Sequence, residues 1–129
     1  MPLVRIDIIE GRTETQVRAI ADTVQEVMLD VFDAPERDRY QVIHEHPPGR
    51  IIVEDSGLGL ERIEAVVIVQ VTETGRTDDR KRALYAALAD RLEKQAGVKP
   101  TDVIVSIVAN THADWSFGLG RAQFLEGEL

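Results

Sequence analysis

Apolar residues alternate at the start of the chain, with Val4, Ile6 and Ile8 on one side and Leu3, Arg5 and Asp7 on the other. That period belongs to a strand with one buried face. After Gly11 it lengthens. Val17, Ile20, Ala21, Val24, Met28 and Val31 recur at spacings of three and four, behind Thr13 as N-cap and Glu14 in the first turn. The spacing predicts an amphipathic helix of about five turns. Residues 33–39 read as a loop broken by Pro35, residues 40–46 as a second strand, and Pro47, Pro48 and Gly49 as its end.

The plan then repeats. Residues 65–72 form a β-branched apolar run, residues 80–95 carry Leu84, Tyr85, Leu88 and Leu92 on one helical face, and residues 103–109 make a last strong strand. The phrase GRTETQVRA at 11–19 returns as GRTDDRKRA at 75–83, agreeing at Gly, Arg, Thr, Arg and Ala under one fixed offset. We therefore expect an α/β (α+β) fold and a single domain over 1–129. It comprises duplicated β-α-β halves, about 1–60 and 61–129, with both helices on one face of a mixed sheet. The opposite face then lacks cover, and oligomerisation supplies it.

Composition narrows the function classes. The chain has 129 residues, enough for a real core without staples, and no cysteine, which fits a reducing cytoplasm and excludes thiolate chemistry. No apolar run approaches the roughly 20 residues of a membrane helix, and no basic-then-apolar export signal opens the chain. A net charge of -8 repels a phosphate backbone, so neither nucleic acid nor membrane is expected as a partner.

Proline directly behind the initiator methionine has two readings. Lacking an N–H, it suits a strand's first position. With Met1 removed, it becomes a secondary amine, and an α-amino group with an ordinary pKa of about 7.7–8.0 serves as acid or base near neutrality. Other residues carry similar pairs of readings. Asp38 between two arginines is by composition a solvated loop charge, Arg76 before a helix an exposed cation near Asp78 and Asp79, and Trp115, Phe117 and Phe124 core or interface anchors. His44 and His46, two apart on a strand, share a face as a metal pair would. The sequence shows them no third ligand, and no metal is expected. His112 receives no role. GLGL at 57–60 and GLGR at 118–121 lack the strand-turn-helix context of a nucleotide loop, no GxSxG elbow is present, and these glycines are assigned to turns.

Pro2 opening a strand, the two β-α-β units, DRYQ at 38–41, EDSGLG at 54–59 and ADWSFG at 113–118 together resemble the tautomerase superfamily, and within it the malonate semialdehyde decarboxylase group. The resemblance runs essentially full length. It implies a homotrimer acting on a small carboxylate without metal or organic cofactor, in the cytoplasm that the composition already leads us to expect. Its catalytic proline falls on Pro2, its aspartate on Asp38 and the second of its two arginines on Arg76. The first arginine falls on Thr74, a departure that removes one cation from the carboxylate clamp. Its aromatic wall falls on Trp115, Phe117 and Phe124, with the terminal Leu129. The activity implied is decarboxylation of a 3-oxo acid with the proline amine as general acid. Keto-enol tautomerisation of the phenylpyruvate type, or hydration and 3-haloacrylate dehalogenation, stand as alternatives, and a non-catalytic trimeric binding protein as the reading from another class.

Overall fold

The structure, a computed structural model, describes residues 2–63 and 65–129. Met1, whose removal the sequence reading requires, lies outside the described residues.

Strand β1 (Leu3–Ile9), helix α1 (Glu14–Val31) and strand β2 (Tyr40–His46) form the first unit, and β3 (Val67–Thr74), α2 (Asp78–Ala96) and β4 (Val103–Asn110) the second. The sheet order is β2-β1-β3-β4. Strands are parallel within each unit, and β1 and β3 meet antiparallel at the centre. Val4, Ile6 and Ile8, with Val67, Val69 and Val71, point to one face and pack against Ile20, Val24, Val27 and Met28 of α1 and Leu84, Leu88 and Leu92 of α2. Both helices therefore cover one face, as the alternation predicts.

Thr13 caps α1 reciprocally: its Oγ1 accepts from the Gln16 N–H (3.2 Å), and Gln16 Oε1 accepts from the Thr13 N–H (2.9 Å). Thr77 caps α2 by accepting from the Arg80 N–H, so α2 starts at Asp78 rather than at residue 80. Gly97, at φ +68°, ends α2 in the left-handed conformation that glycine adopts without penalty. β3 begins at Val67, two residues later than the β-branched run suggests. The Ala65 carbonyl is instead taken by Arg12 Nη2 at 2.7 Å. At its other end β3 continues to Thr74, which pairs with Asn110 of β4.

The duplication is deeper than its shared phrase. A single offset of sixty-four positions carries Thr13 to Thr77, Arg12 to Arg76, and every strand of the first unit onto a strand of the second. It also carries Asp38 to Asp102, and both are buried.

The second sheet face is open. Leu3, Tyr40, Val42 and Val108 stand on it exposed, between polar Arg5, Gln70 and Ser106.

Candidate active site

The end of the sheet where β1 begins and β3 finishes gathers most of the residues singled out above. The antiparallel register pairs Leu3 with Thr72, which sets buried Pro2 beside Glu73. The parallel register pairs Leu3 with Tyr40, which brings Asp38, two residues before that strand, to the same end. Asp38 is 8% exposed, and its Oδ2 has no hydrogen-bond partner among the described residues. Burial pushes its carboxyl above the usual range. The positive amino terminus pulls it back, and the neighbouring Glu73 adds to the rise.

Glu73 went unnoticed in the sequence analysis. Its signal was legible in the alternation, since Val67, Val69 and Val71 all face the helices and Glu73 continues their row at 1% exposure. A carboxylate placed on the core face is costly unless it is held. Glu73 Oε1 accepts from the Thr74 N–H (3.0 Å) and Oγ1 (3.1 Å) and lies 3.4 Å from Arg76 Nη2.

Arg76 is anchored on the other side as well. Its Nη1 donates to the Thr74 carbonyl (2.9 Å) and Thr74 Oγ1 (3.2 Å), and its Nη2 to the Phe32 carbonyl (3.2 Å). The guanidinium sits 5.5 Å from the centre of the Phe32 ring. α1 has no basic residue in its last turn, so Arg76 and Arg80, which donates to the Val31 carbonyl, supply the cations that its C-terminus lacks. Thr74, standing where the resemblance implies an arginine, therefore ties Arg76 to Glu73 through one hydroxyl.

The aromatic residues form their own cluster on the segment after β4. Trp115 and Phe117 stack at 5.4 Å, Phe124 meets Phe117 edge-on at 5.7 Å, and Trp115 Nε1 donates to Asn110 Oδ1 at 3.0 Å. Phe117 reaches Tyr40 at 5.7 Å, which ties the cluster to the strand that follows Asp38. His112 stacks on Phe124 at 4.2 Å. Leu129 is exposed, so the single chain does not draw it into the cluster.

The second unit lacks the means to build a copy of this arrangement. Under the same offset Pro2 falls on Val66, which has no ionisable group, and Asp102 is closed off where Asp38 is not. Asp102 Oδ1 accepts from the Ile63 N–H at 3.0 Å, and Arg62 Nη1 donates to the Thr101 carbonyl at 2.6 Å, stitching the β2–β3 connection over that end.

Two family models, each described as tautomerase enzyme, match residues 38–118 and 2–61, and the chain belongs to the tautomerase family. Among individual relatives, it is 49% identical over 129 residues to the probable tautomerase YrdN of Bacillus subtilis (strain 168), covering all of both chains. It is 33% identical over 127 residues to the probable tautomerase YusQ of the same organism, covering 98% of this chain and 100% of that one. Crystal structures of malonate semialdehyde decarboxylase match it with a TM-score of 0.95 at 43% identity, covering 98% of both chains. The FG41 malonate semialdehyde decarboxylase inhibited by 3-bromopropiolate matches with the same TM-score at 44% identity, covering 98% of this chain and 97% of that one. A fused 4-OT trimer at 22% identity shares the fold, with a TM-score of 0.79 over 97% of this chain and 98% of that one.

Proposed function

We propose that this tautomerase-family enzyme is a cofactor-independent lyase that decarboxylates a small 3-oxo acid, malonate semialdehyde, to acetaldehyde and carbon dioxide. The observation that carries the reading is the likeness to malonate semialdehyde decarboxylase at 43% identity and a TM-score of 0.95 over 98% of the chain.

Removal of Met1 makes the Pro2 nitrogen a secondary amine. Two buried carboxylates at its end of the sheet, Asp38 and Glu73, favour its cationic form. In the reaction the bond between the carboxylate carbon and the methylene carbon breaks. Its electron pair moves through the new carbon–carbon double bond to the aldehyde oxygen, which takes the proton of the Pro2 ammonium. Carbon dioxide leaves, and the enol becomes acetaldehyde by carbon protonation and loss of its hydroxyl proton. Overall one proton is consumed, and it returns Pro2 to the cationic state. Arg76 orients the departing carboxylate out of the carbonyl plane, so that the breaking bond overlaps the π system. Trp115, Phe117 and Phe124 supply the apolar wall, with Leu129 added from an assembled oligomer, and Thr74 lines the carboxylate side. The exposed apolar residues of the open sheet face support a homotrimer.

A second reading is favoured by a specific feature. With Thr74 in place of an arginine, Arg76 is the cation that remains of the pair and already faces Glu73, which suits a keto-enol tautomerase with neutral Pro2 as base. Nitrogen-15 NMR titration of the Pro2 amine separates the two. A pKa above neutrality supports the decarboxylase, and one below it overturns the general-acid mechanism.

A further inference from the structure

At the other end of β1 a second group of ionisable side chains stands on the open sheet face, and none of the chemistry above uses it. The sequence offers His44 and His46 as a pair without a third ligand. The parallel register of β1 on β2 supplies one by setting Asp7 directly opposite His44 and one step from His46. A donor atom from each of the three lies within 4.8 Å of the other two. His46 Nε2 is 2.6 Å from Asp7 Oδ1, and the imidazole rings are 5.3 Å apart.

A cation already sits against two members of this group, Asp7 and His44. Arg5 Nε donates to Asp7 Oδ2 at 3.0 Å and its Nη2 to Oδ1 at 3.2 Å, while Nη2 also lies 3.0 Å from His44 Nδ1. An imidazole nitrogen facing a guanidinium donor presents its lone pair, the same lone pair that binds a metal. Asp7 is 9% exposed although it alternates onto the face away from the core, because Arg5 and His46 fold over it. In the single chain the Arg5 side chain is 47% exposed, so the core does not pin it against Asp7.

We propose that Asp7, His44 and His46 form a binding site for a divalent transition-metal ion, with the Arg5 guanidinium as the resident cation that the metal displaces. Two imidazoles and one carboxylate select ions of the zinc, nickel or cobalt kind over calcium and magnesium, which want oxygen ligands. Three protein ligands leave further positions to water. Asp7 lies five residues along β1 from Pro2, about 17 Å in an extended strand, so occupancy is read independently of catalysis.

The test is titration of untagged, chelator-treated full-length protein with zinc by calorimetry and with cobalt by visible absorption. Saturation at one ion per chain is expected, with cobalt bands showing nitrogen ligation. Separate His44→Ala and His46→Ala variants should each weaken binding by at least about tenfold, the loss that removing even a partner of a metal ligand brings. His112→Ala, which removes the remaining histidine of the chain, should leave binding unchanged, and Arg5→Gln should strengthen it. Because a variant can fold poorly, imidazole NMR signals of the unaltered protein provide an independent reading, and those of His44 and His46 should shift on zinc addition while His112 stays put. No saturable binding, binding that both histidine variants retain, or shifts confined to His112 would overturn the site. Unchanged or weaker binding by Arg5→Gln would overturn the displacement.

Discussion

Asp38 and Asp7 are both buried carboxylates, and their surroundings push them in opposite directions. Burial raises Asp38, with no hydrogen bond to offset it among the described residues. The folded protein therefore holds that proton more tightly than the unfolded chain. The charged form subtracts from stability near neutrality, and the penalty eases as pH falls through the raised pKa. Burial also acts upward on Asp7, but the hydrogen bonds from Arg5 and His46 outweigh it and hold Asp7 below the usual range. Asp7 adds stability above the unfolded pKa and loses it as pH falls through the lowered one. Asp38→Asn should therefore raise Tm at pH 7 by several degrees, for about 1 kcal/mol, while lowering turnover. Asp7→Asn should lower Tm at pH 7. Thermal melts at pH 7 and pH 3 check both, since each difference should shrink in acid.

Substrate charge is decided by single residues as well. If Thr74 is a tolerated departure in a decarboxylase, Thr74→Arg should lower KM for malonate semialdehyde, by about tenfold for one added charge-assisted contact. Arg76→Lys, which keeps the charge and loses the planar fork that reaches Phe32 and Thr74 together, should raise KM by a similar factor. Steady-state kinetics on the two variants reads both effects. The sequence gives Glu73 no role because it lies one residue beyond the β-branched run of 65–72. Its row in β3 places it in the core.

At the scale of elements, period and caps carry most of the structure. Alternation in 3–8, the three-four spacing after Gly11 and the GRT phrase define β1, α1 and the repeat. They worked because each element buries one face against a single shared core. The errors fell at edges. α2 begins two residues earlier than its apolar face, since Thr77 and the acidic first turn lie ahead of the first buried leucine. β3 runs from Val67 because tertiary contacts, not propensity, claim Ala65. The capping threonines are testable. Thr77→Ala should cost about 1 kcal/mol by denaturant melt, and Thr13→Ala somewhat more, since it also breaks the reciprocal bond with Gln16. What no local pattern showed was the partnership of distant residues. Asp7 with His46, Glu73 with Arg76, and Phe117 with Tyr40 are products of strand register and of a C-terminal segment folding back.

The whole molecule is duplicated in form, yet its two equivalent sheet ends differ. One end of the sheet carries Pro2 with Asp38 uncapped, and the pseudo-equivalent end carries Val66 with Asp102 capped by Ile63. The open sheet face, with Leu3, Val42 and Val108 exposed, is the surface on which a trimer would form. Val42→Lys should therefore dissociate the assembly, a change that sedimentation velocity detects. Among the described residues no helix is long and apolar enough to cross a membrane.

Whether the Pro2 amine drives decarboxylation is read by carbon-13 NMR of labelled malonate semialdehyde with protein whose mass confirms loss of Met1. Labelled acetaldehyde and carbon dioxide should form with the unaltered protein and more slowly with Pro2→Ala, whose terminal amine is primary and no longer held in position by the ring. Unchanged substrate would rule out the decarboxylase, and equal turnover by Pro2→Ala would rule out a role for the ring-held amine.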